Sequence, residues 1–567
     1  MARGPFALGL LLILGCQGRI SEPPGLVGGS GPGPVDPNNP PPPPPPIDPC
    51  ATRDVPNQPL RRLSAEQYAN VISDLFGTQA GPLLTGSLFP PTVITRGFRH
   101  DAEANTVNTA QSNAIEDNAE RIASTLIASP DVYLRAVWPC TLPANYGDAE
   151  LDACIDQFIG TFGRRAYRRP LSSNEVTVAR GVYDAIRAEQ GAINAWASVV
   201  QFFAQAPALL YRVERGLGPA PGQPRLIQLD PYELASRLSF FLVGSGPDDT
   251  LLDEAAAGRL STPAQLEAQA RRLMASPRYL TTLVEFHSDW LHLYEAARGK
   301  DPLVFPEYTA EVVRSLAQEP EAFMRMVLEE EDGSLGALLG SRRTPVDATL
   351  ANYYGAPTPP TPWAAVEAPN RRGLLTLASV QAALGKTDSS SPIHRGNFIR
   401  SSVLCAPQLV LPANVDIATP LAGTSGAPTA RERLAPLSSR SDCAGCHQQI
   451  NPIGFSFENY DGAGRYRATE NGATIDASGT VDVGTGPIAF TNATELAGIF
   501  ADSVQVERCY ALQWFRAGLG RTETPEDTCS VATLRDVVRA SDGDLESLLL
   551  GLIQTDAFLY RRPVEAP

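Results

Sequence analysis

Two cysteines and a histidine lie within five consecutive residues, Cys443-Ala444-Gly445-Cys446-His447. Two thiols three positions apart can add to the two vinyl groups of one porphyrin, and the adjacent imidazole can then ligate the iron. The motif therefore predicts one covalently bound haem c, with His447 as an axial ligand. Three other interpretations compete with it: a redox-active dithiol, half of a zinc site, and an ordinary disulfide.

The rest of the sequence favours haem over these alternatives. No strand–helix pattern of the thioredoxin type surrounds the motif. No second CxxC or HxxxH segment supplies the ligands that a zinc site would still need.

Side chains that follow the motif fit a haem pocket. The carbonyl of Pro452 could accept a hydrogen bond from the ring N–H of His447 and so fix its tautomer. Arg465 or Arg467 could pair with the haem propionates, because a guanidinium matches a carboxylate. Each of these residues could equally serve in packing or at the surface. The aromatic residues that could wall a porphyrin are Phe455, Phe457 and Tyr460.

The sixth iron ligand poses a separate question, since no Met, His or Lys follows His447. It must come from upstream, be an unusual group, or be absent. We rank His394 first among the upstream candidates, because it is nearest in sequence and lies within the same predicted unit. An empty sixth position would permit chemistry on small molecules. The other upstream candidates are His287, His292, Met324 and Met326.

The N-terminal sequence predicts export. Arg3 precedes an apolar segment from Phe6 to Leu14 that is too short to span a bilayer and is typical of a signal peptide. The segment ends at Cys16 in a pattern similar to a lipobox, so we expect lipidation of Cys16. An ordinary secretory signal with a chance cysteine is the alternative.

A proline-rich stretch follows the predicted lipid site. Seven consecutive prolines, Pro40 to Pro46, would form a stiff polyproline II stalk. A ligand for a proline-recognition domain is the weaker alternative. The predicted location is the cell envelope, with the chain anchored to a membrane by lipid. The outer membrane or periplasmic side is favoured, because Gln17 lacks the aspartate that retains some lipoproteins at the inner membrane.

Six cysteines remain once Cys16, Cys443 and Cys446 are assigned. An even number in an oxidising compartment predicts three disulfides, although six cysteines allow 15 connectivities. Short loops favour the first two pairings, and elimination leaves the third. The predicted pairs are Cys140–Cys154, Cys509–Cys529 and Cys50–Cys405.

Helical patterns dominate the sequence after Cys50. Four residues are predicted to cap the start of a helix, each with a polar partner three residues later: Ser64, Ser172, Asp230 and Thr262. Apolar residues at helical spacing follow each of them. Strand-like alternation is weak and is confined to a predicted hairpin between 473 and 490. The sequence thus predicts a mainly α fold of several small helical domains in series, with a short β-hairpin after the haem motif.

Charge argues against one class of partner. The net charge is −16 and the isoelectric point about 4.9, and no basic stripe is present. Nucleic-acid binding is therefore not expected.

Several segments resemble the planctomycete-type cytochrome c-like multidomain family, whose secreted members carry serial domains of unknown function around one CxxCH motif. The similar segments, which cover nearly everything after Cys50, are 61–77, 162–171, 210–212, 233–249, 372–375, 391–396, 431–467, 520–529 and 558–561. Asn451 stands where we expect aspartate, and Val243 where we expect tryptophan. The resemblance implies an exported, mainly helical haem protein and supplies no substrate.

The predicted organisation has seven parts: a lipoprotein signal peptide (1–15), a Pro/Gly-rich stalk (16–50), three helical domains (51–137, 138–215, 222–345), a haem-motif domain (346–488) and a C-terminal helical domain (489–567). The leading hypothesis is electron transfer to a redox partner protein that the sequence does not specify. A haem enzyme of the peroxidase or oxygenase type and a haem-free binding lipoprotein are the alternatives. No catalytic residue is assigned.

Overall fold

Helices account for most of the regular structure in the computed structural model, so the predicted mainly α fold class is confirmed. The structure describes residues 48–51, 53–80, 92, 97–99, 101–409, 426–441 and 443–563. The predicted signal peptide, Cys16 and the proline run lie outside the described residues. From Pro49 onward the chain forms one compact unit.

The predicted capping signals explain where several helices begin. Ser64 accepts from the backbone N–H of Gln67, whose side chain accepts from the backbone of Ser64, at 3.1 and 3.3 Å. The same reciprocal pattern starts the helices after Ser172, Asp230 and Thr262. Each box satisfies N–H groups that a helix start leaves open, which confirms these four predictions.

The first half of the chain packs around one hydrophobic core built from residues between Leu63 and Phe240. Its centre is a run of aromatic contacts in which Phe158 lies 5.0 Å from Phe162 and 6.3 Å from Trp196, between ring centroids. The helices of this half are α1 Ala65–Ala80, α2 Thr109–Ala128, α3 Pro130–Val137, α4 Asp148–Asp152, α5 Ile155–Tyr167, α6 Ser173–Gln190, α7 Ala192–Ala204 and α8 Pro207–Leu210.

The second half packs around a larger core that extends from Leu229 to Phe558 and also takes in Phe98. Its helices up to the haem motif are α9 Pro231–Val243, α10 Asp249–Ala256, α11 Pro263–Met274, α12 Pro277–Trp290, α13 Ala310–Glu329, α14 Leu335–Gly340, α15 Ala348–Tyr354, α16 Ala378–Ala383, α17 Pro392–Phe398 and α18 Ala430–Ser439. The helices from the motif onward are α19 Ala444–Phe455, α20 Ala493–Ala501, α21 Val504–Leu519, α22 Thr528–Ala540, α23 Leu545–Ile553 and α24 Asp556–Leu559.

The strands are short, and several join distant parts of the chain. They are β1 Arg61–Arg62, β2 Tyr211–Arg212, β3 Gly218–Ala220, β4 Gln223–Gln228, β5 Arg343–Val346, β6 Ala364–Glu367, β7 Thr469–Glu470, β8 Ala473–Thr474, β9 Gly479–Asp482, β10 Pro487–Phe490 and β11 Tyr560–Arg561. Antiparallel pairing joins β1 to β2, and it joins β11 to β4. The β9–β10 pair is the hairpin predicted after the haem motif.

Three disulfides form, and two of them differ from the predicted pairs. Cys140–Cys154 is as predicted, whereas the others are Cys50–Cys529 and Cys405–Cys509. The predicted pairs Cys509–Cys529 and Cys50–Cys405 are therefore wrong. Short loops favour a pairing only weakly. Helix packing decides instead: α21 buries Cys509 against the segment after α17, while Cys529 on α22 meets the start of the folded body.

None of the helices in the described part of the chain is long and apolar enough to cross a membrane.

Candidate haem-attachment site

The CxxCH motif lies at the start of α19. Cys443 occupies the position before the first turn, and the helix carries Cys446, His447 and Ile450 on adjoining positions of one face. Both motif cysteines are half-buried thiols, whereas the other six described cysteines are paired in disulfides. The helix start thus presents two thiols and an imidazole together.

His447 is oriented by Asn451, one helical turn later. The Nδ1 atom of His447 lies 3.1 Å from the side-chain oxygen of Asn451, and the Asn451 amide donates to the hydroxyl of Ser438 at 3.1 Å. Because an amide oxygen only accepts, this geometry assigns the ring proton to Nδ1 and leaves Nε2 available as a ligand. The partner of the ring is therefore the Asn451 side chain, not the Pro452 carbonyl expected from the sequence.

A cleft of about 800 Å³ adjoins the motif, within the size range of sites for cofactors. Three helices form its walls: α19 with Cys446 and His447, α18, and α17 with the segment before it. Its apolar lining residues are Pro392, Ile393, Leu409, Ala430, Leu434 and Ile450. A mostly apolar porphyrin with two acidic groups would fit such a lining.

His394 on α17 lines the same cleft as His447. It is exposed there, and its Nδ1 atom lies 3.3 Å from the carbonyl of Leu384. A carbonyl only accepts, so the ring proton is again on Nδ1 and Nε2 is available. Two histidines with the same tautomer therefore border one cleft.

Two glycines let α17 and α19 approach to backbone contact. A Cβ atom on Gly396 would lie 2.3 Å from the carbonyl oxygen of Ile450, and one on Gly454 would lie 2.0 Å from the carbonyl oxygen of Pro392. No side chain fits at either position without moving the helices apart. This close packing brings the helix of His394 against the helix of His447.

Arg395, beside His394, ties α17 to the chain after the motif. Its guanidinium is fully buried and donates to the carbonyls of Gln381, Phe457, Tyr460 and Asp461 at 2.7 to 3.0 Å. Sequence reasoning missed this residue as a determinant of the site. The sequence feature that could have identified Arg395 is its position in the segment 391–396, which resembles the family.

The other upstream ligand candidates do not line this cleft. His287 is fully buried, with Nδ1 2.7 Å from the Leu283 carbonyl and Nε2 2.9 Å from the hydroxyl of Tyr510. His292 packs edge-on against Phe398. Met324 and Met326 are buried in the second core.

Arg465 and Arg467 are not among the residues that line the cleft, although Arg467 donates to the hydroxyl of the lining residue Ser390 at 3.2 Å. Arg465 pairs with Glu307, and Arg467 lies 3.3 Å from Glu458. Two other cations line the cleft instead. Lys386 is exposed and Arg433 is half-buried. Sequence reasoning did not single out either one, although Lys386 is one of only two lysines in the chain.

The three aromatic residues after the motif are core residues. They are 5% exposed or less, and the Tyr460 hydroxyl donates to the Asn370 carbonyl at 2.6 Å. The apolar part of the cleft lining is aliphatic, where an aromatic wall was expected. Within the described residues, no group of three or more His, Cys, Asp or Glu side chains is arranged to hold a metal ion.

One curated protein matches a short part of the chain. Over 104 residues the chain is 33% identical to the ribosome-recycling factor of Pelotomaculum thermopropionicum, an overlap of 17% of this chain. The chain spans about half, 55%, of that protein. No solved structure matches the chain.

Five families match successive segments, each described as a protein of unknown function. They are DUF1587 at 61–128, DUF1595 at 154–214, DUF1592 at 229–356, DUF1588 at 371–470 and DUF1585 at 488–558. The fourth segment contains the CxxCH motif and the helices that form the cleft. Five such domains in series support the assignment of the chain to the planctomycete cytochrome c-like multidomain family.

Proposed function

We propose that the chain is a c-type haem protein that transfers electrons, with one haem attached through Cys443 and Cys446. The observation that carries the proposal is that Cys446, His447 and His394 border one cleft of cofactor size. When bound, the haem supplies a one-electron iron centre. Cys443 and Cys446 would attach it, and His447 and His394 would orient it.

In this proposal, His447 and His394 are the two residues that would hold the haem iron. His447 and His394 each donate a hydrogen bond from Nδ1 to a protein acceptor, so Nε2 carries no proton. Such outer hydrogen bonds fix the tautomer and orientation of ligating histidines in metal sites generally. If both imidazoles held the iron, the group would supply electron transfer in preference to the binding of small molecules.

Charge at the cleft also suits haem. Lys386 and Arg433 line it, and a cation is a suitable partner for a propionate. Arg433 also lies 2.7 Å from Glu470, so its positive charge is already shared with a carboxylate. We assign the propionate contacts to Lys386 first and to Arg433 second. Arg465 and Arg467 remain sequence-based candidates for the same contacts.

A haem enzyme with an open sixth position is the second candidate function. The exposed ring of His394 favours it in one respect, because an exposed side chain can swing away from a ligand position. Such an enzyme would bind carbon monoxide or cyanide in the resting protein. An electron-transfer protein with two histidine ligands would not.

The test is the optical spectrum and intact mass of the chain matured with a c-haem assembly system. We expect covalent haem in the mass and a reduced low-spin spectrum that carbon monoxide leaves unchanged. A carbon monoxide adduct in the wild-type protein would favour the enzyme. An intact mass without haem would contradict both and leave the haem-free binding lipoprotein.

Export and lipid anchoring form a further part of the proposal, supported by the residues around Cys16. Such a segment would hold the folded body at a membrane, in the compartment where c-type haem is attached. Cys16→Ala should release the chain from the membrane fraction without changing its haem content. A chain that partitions identically with and without Cys16 would contradict lipid anchoring.

A further inference from the structure

A second cleft, of about 650 Å³, shares no lining residue with the cleft at the CxxCH motif. The end of α5, the segment from α8 through β2, and the start of α9 form it. Two of its arginines, Arg168 and Arg212, are 4% and 9% exposed. Their guanidinium carbons lie 5.6 and 5.4 Å from the ring centroid of Phe240. Two buried positive charges therefore lie next to the same aromatic ring.

Buried cations outnumber buried anions around this cleft. Arg61 and Arg237 are also buried, and both donate to the carboxylate of Glu214. Arg237 makes two of these hydrogen bonds, each 2.6 Å long. Arg168 pairs with no carboxylate of the described residues but donates to four backbone carbonyls. Among the described residues around this cleft, four guanidinium groups are buried, and the carboxylate of Glu214 is the partner of two of them.

Arg212 differs from the other three. Among the described residues its guanidinium has neither a hydrogen-bond acceptor nor an ion-pair partner, whereas each of the others has at least one. Burial lowers the pKa of Arg212 and repulsion from Arg61 lowers it further, while attraction to Glu214 acts in the opposite direction. A guanidinium keeps its proton even so, and a buried charge without a partner is unfavourable.

The carboxylates that line the cleft are already engaged elsewhere. Glu175 pairs with Arg169 at 2.8 Å, and Glu214 is held by Arg237. Glu233 accepts from the backbone N–H of Gly216 at 3.0 Å, and Asp230 accepts from the backbone N–H of Tyr232 at 2.8 Å. Glu214 attracts Arg212 through space, but both of its oxygens are bonded to Arg237, so an anion from solution is the group that would bind Arg212 directly.

We infer that this cleft is a binding site for a small ligand that carries an oxyanion, a carboxylate or a phosphate, with Arg212 as its main anchor. A planar guanidinium donates two parallel hydrogen bonds to such a group. Exposed Arg215 borders the same cleft and adds a positive charge at its rim. The volume leaves room for more of a ligand than the oxyanion alone. This site is independent of the proposed haem function.

The test is a titration of the haem-loaded full chain with inorganic phosphate, and separately with succinate, in a buffer free of other oxyanions. Calorimetry or the melting temperature gives the readout, because a ligand that binds the folded state raises that temperature in a saturable way. Arg212→Gln should weaken binding by at least about tenfold, since hydrogen bonds to charged groups are among the strongest. Arg325→Gln, which removes an exposed arginine on α13, is the charge-matched control and should bind like the wild type.

Arg212→Met separates this site from a structural role. Without oxyanion the substitution should leave the melting temperature unchanged or raise it, because it removes an unpaired buried charge. A structural arginine would give a lower melting temperature instead. The probe that binds more tightly identifies the ligand class. Absence of saturable binding by both probes, or equal binding by wild type and Arg212→Gln, would overturn the inference.

Discussion

The cleft beside the CxxCH motif and the packed core around His287 both place imidazoles against α-helices, but the ring nitrogens have different partners in the two regions. His287 is fully buried and both ring nitrogens have protein partners, Leu283 and Tyr510. Within the part of the chain that the structure describes, His447 and His394 each engage only Nδ1, and both border an open cleft. A fully satisfied histidine stabilises a core, whereas a half-satisfied one at a cleft has a nitrogen left to bind a ligand.

The largest expected effect concerns covalent attachment. Cys446→Ala removes one of the two thiols that a porphyrin would bridge, so normal two-thioether haem should be lost almost completely. Intact mass and the haem absorption spectrum measure this loss. The double variant C140A/C154A, which removes a disulfide of the first core, is the control and should keep its haem. Full haem loading of Cys446→Ala contradicts the attachment site.

His287→Ala should unfold more easily without changing haem content. It removes two hydrogen bonds and leaves a cavity beside Tyr510, which costs about 2–4 kcal/mol of the free energy of unfolding. Denaturant titration measures the change. His394→Ala, at an exposed position, is the comparison and should cost less than about 0.5 kcal/mol in the haem-free protein. Equal losses would erase the distinction between the two regions.

The pH dependence of stability gives a third test. Burial lowers the pKa of His287 to about 4 from its usual 6.5. Between pH 6.5 and 4, His287 is therefore protonated in the unfolded chain and neutral in the folded chain. The free energy of unfolding should fall as the pH drops through this range. The integrated loss is roughly 3 kcal/mol.

Glu285 acts in the opposite direction over part of this range. Burial raises the pKa of Glu285 to about 7, so its protonation in the folded state stabilises the protein as the pH falls. The difference between wild type and His287→Gln therefore isolates the histidine. Parallel stability curves for the two proteins between pH 6.5 and 4.5 would rule out a buried neutral His287.

The smallest expected effect concerns the tuning of the haem iron. Asn451→Asp puts a negative charge on the acceptor of the His447 ring proton, which strengthens the ligand and favours the oxidised iron. The midpoint potential should fall by a few tens of mV, where roughly 60 mV corresponds to tenfold. Gln448→Glu adds the same charge at a neighbouring exposed position and should shift the potential less. Equal shifts would assign the effect to charge alone.

Local features of this fold could be predicted from the sequence, because they depend on residues three or four positions apart. The capping boxes at Ser64 and Thr262 and the hairpin near 479–490 are of this kind. The pairing of Cys50 with Cys529 could not be predicted, since it joins positions 479 residues apart and depends on how the helices pack.

The candidate site divides in the same way. The cysteines and His447 could be identified from one short motif, and His394 from its position in the chain. Lys386 and Arg433 could not, because their place at the cleft depends on α17 and α18 meeting α19. That Arg212 has no hydrogen-bonded carboxylate among the described residues is less predictable still, since it depends on how Arg61 and Arg237 share Glu214.

The most direct test of the central claim is the electron paramagnetic resonance spectrum of the oxidised, haem-loaded chain, compared between wild type and His394→Ala. We predict low-spin iron in the wild type and in the control His292→Ala, and high-spin iron in His394→Ala. High-spin iron in the wild type, or low-spin iron that persists in His394→Ala, would contradict the claim that His394 and His447 together hold the haem.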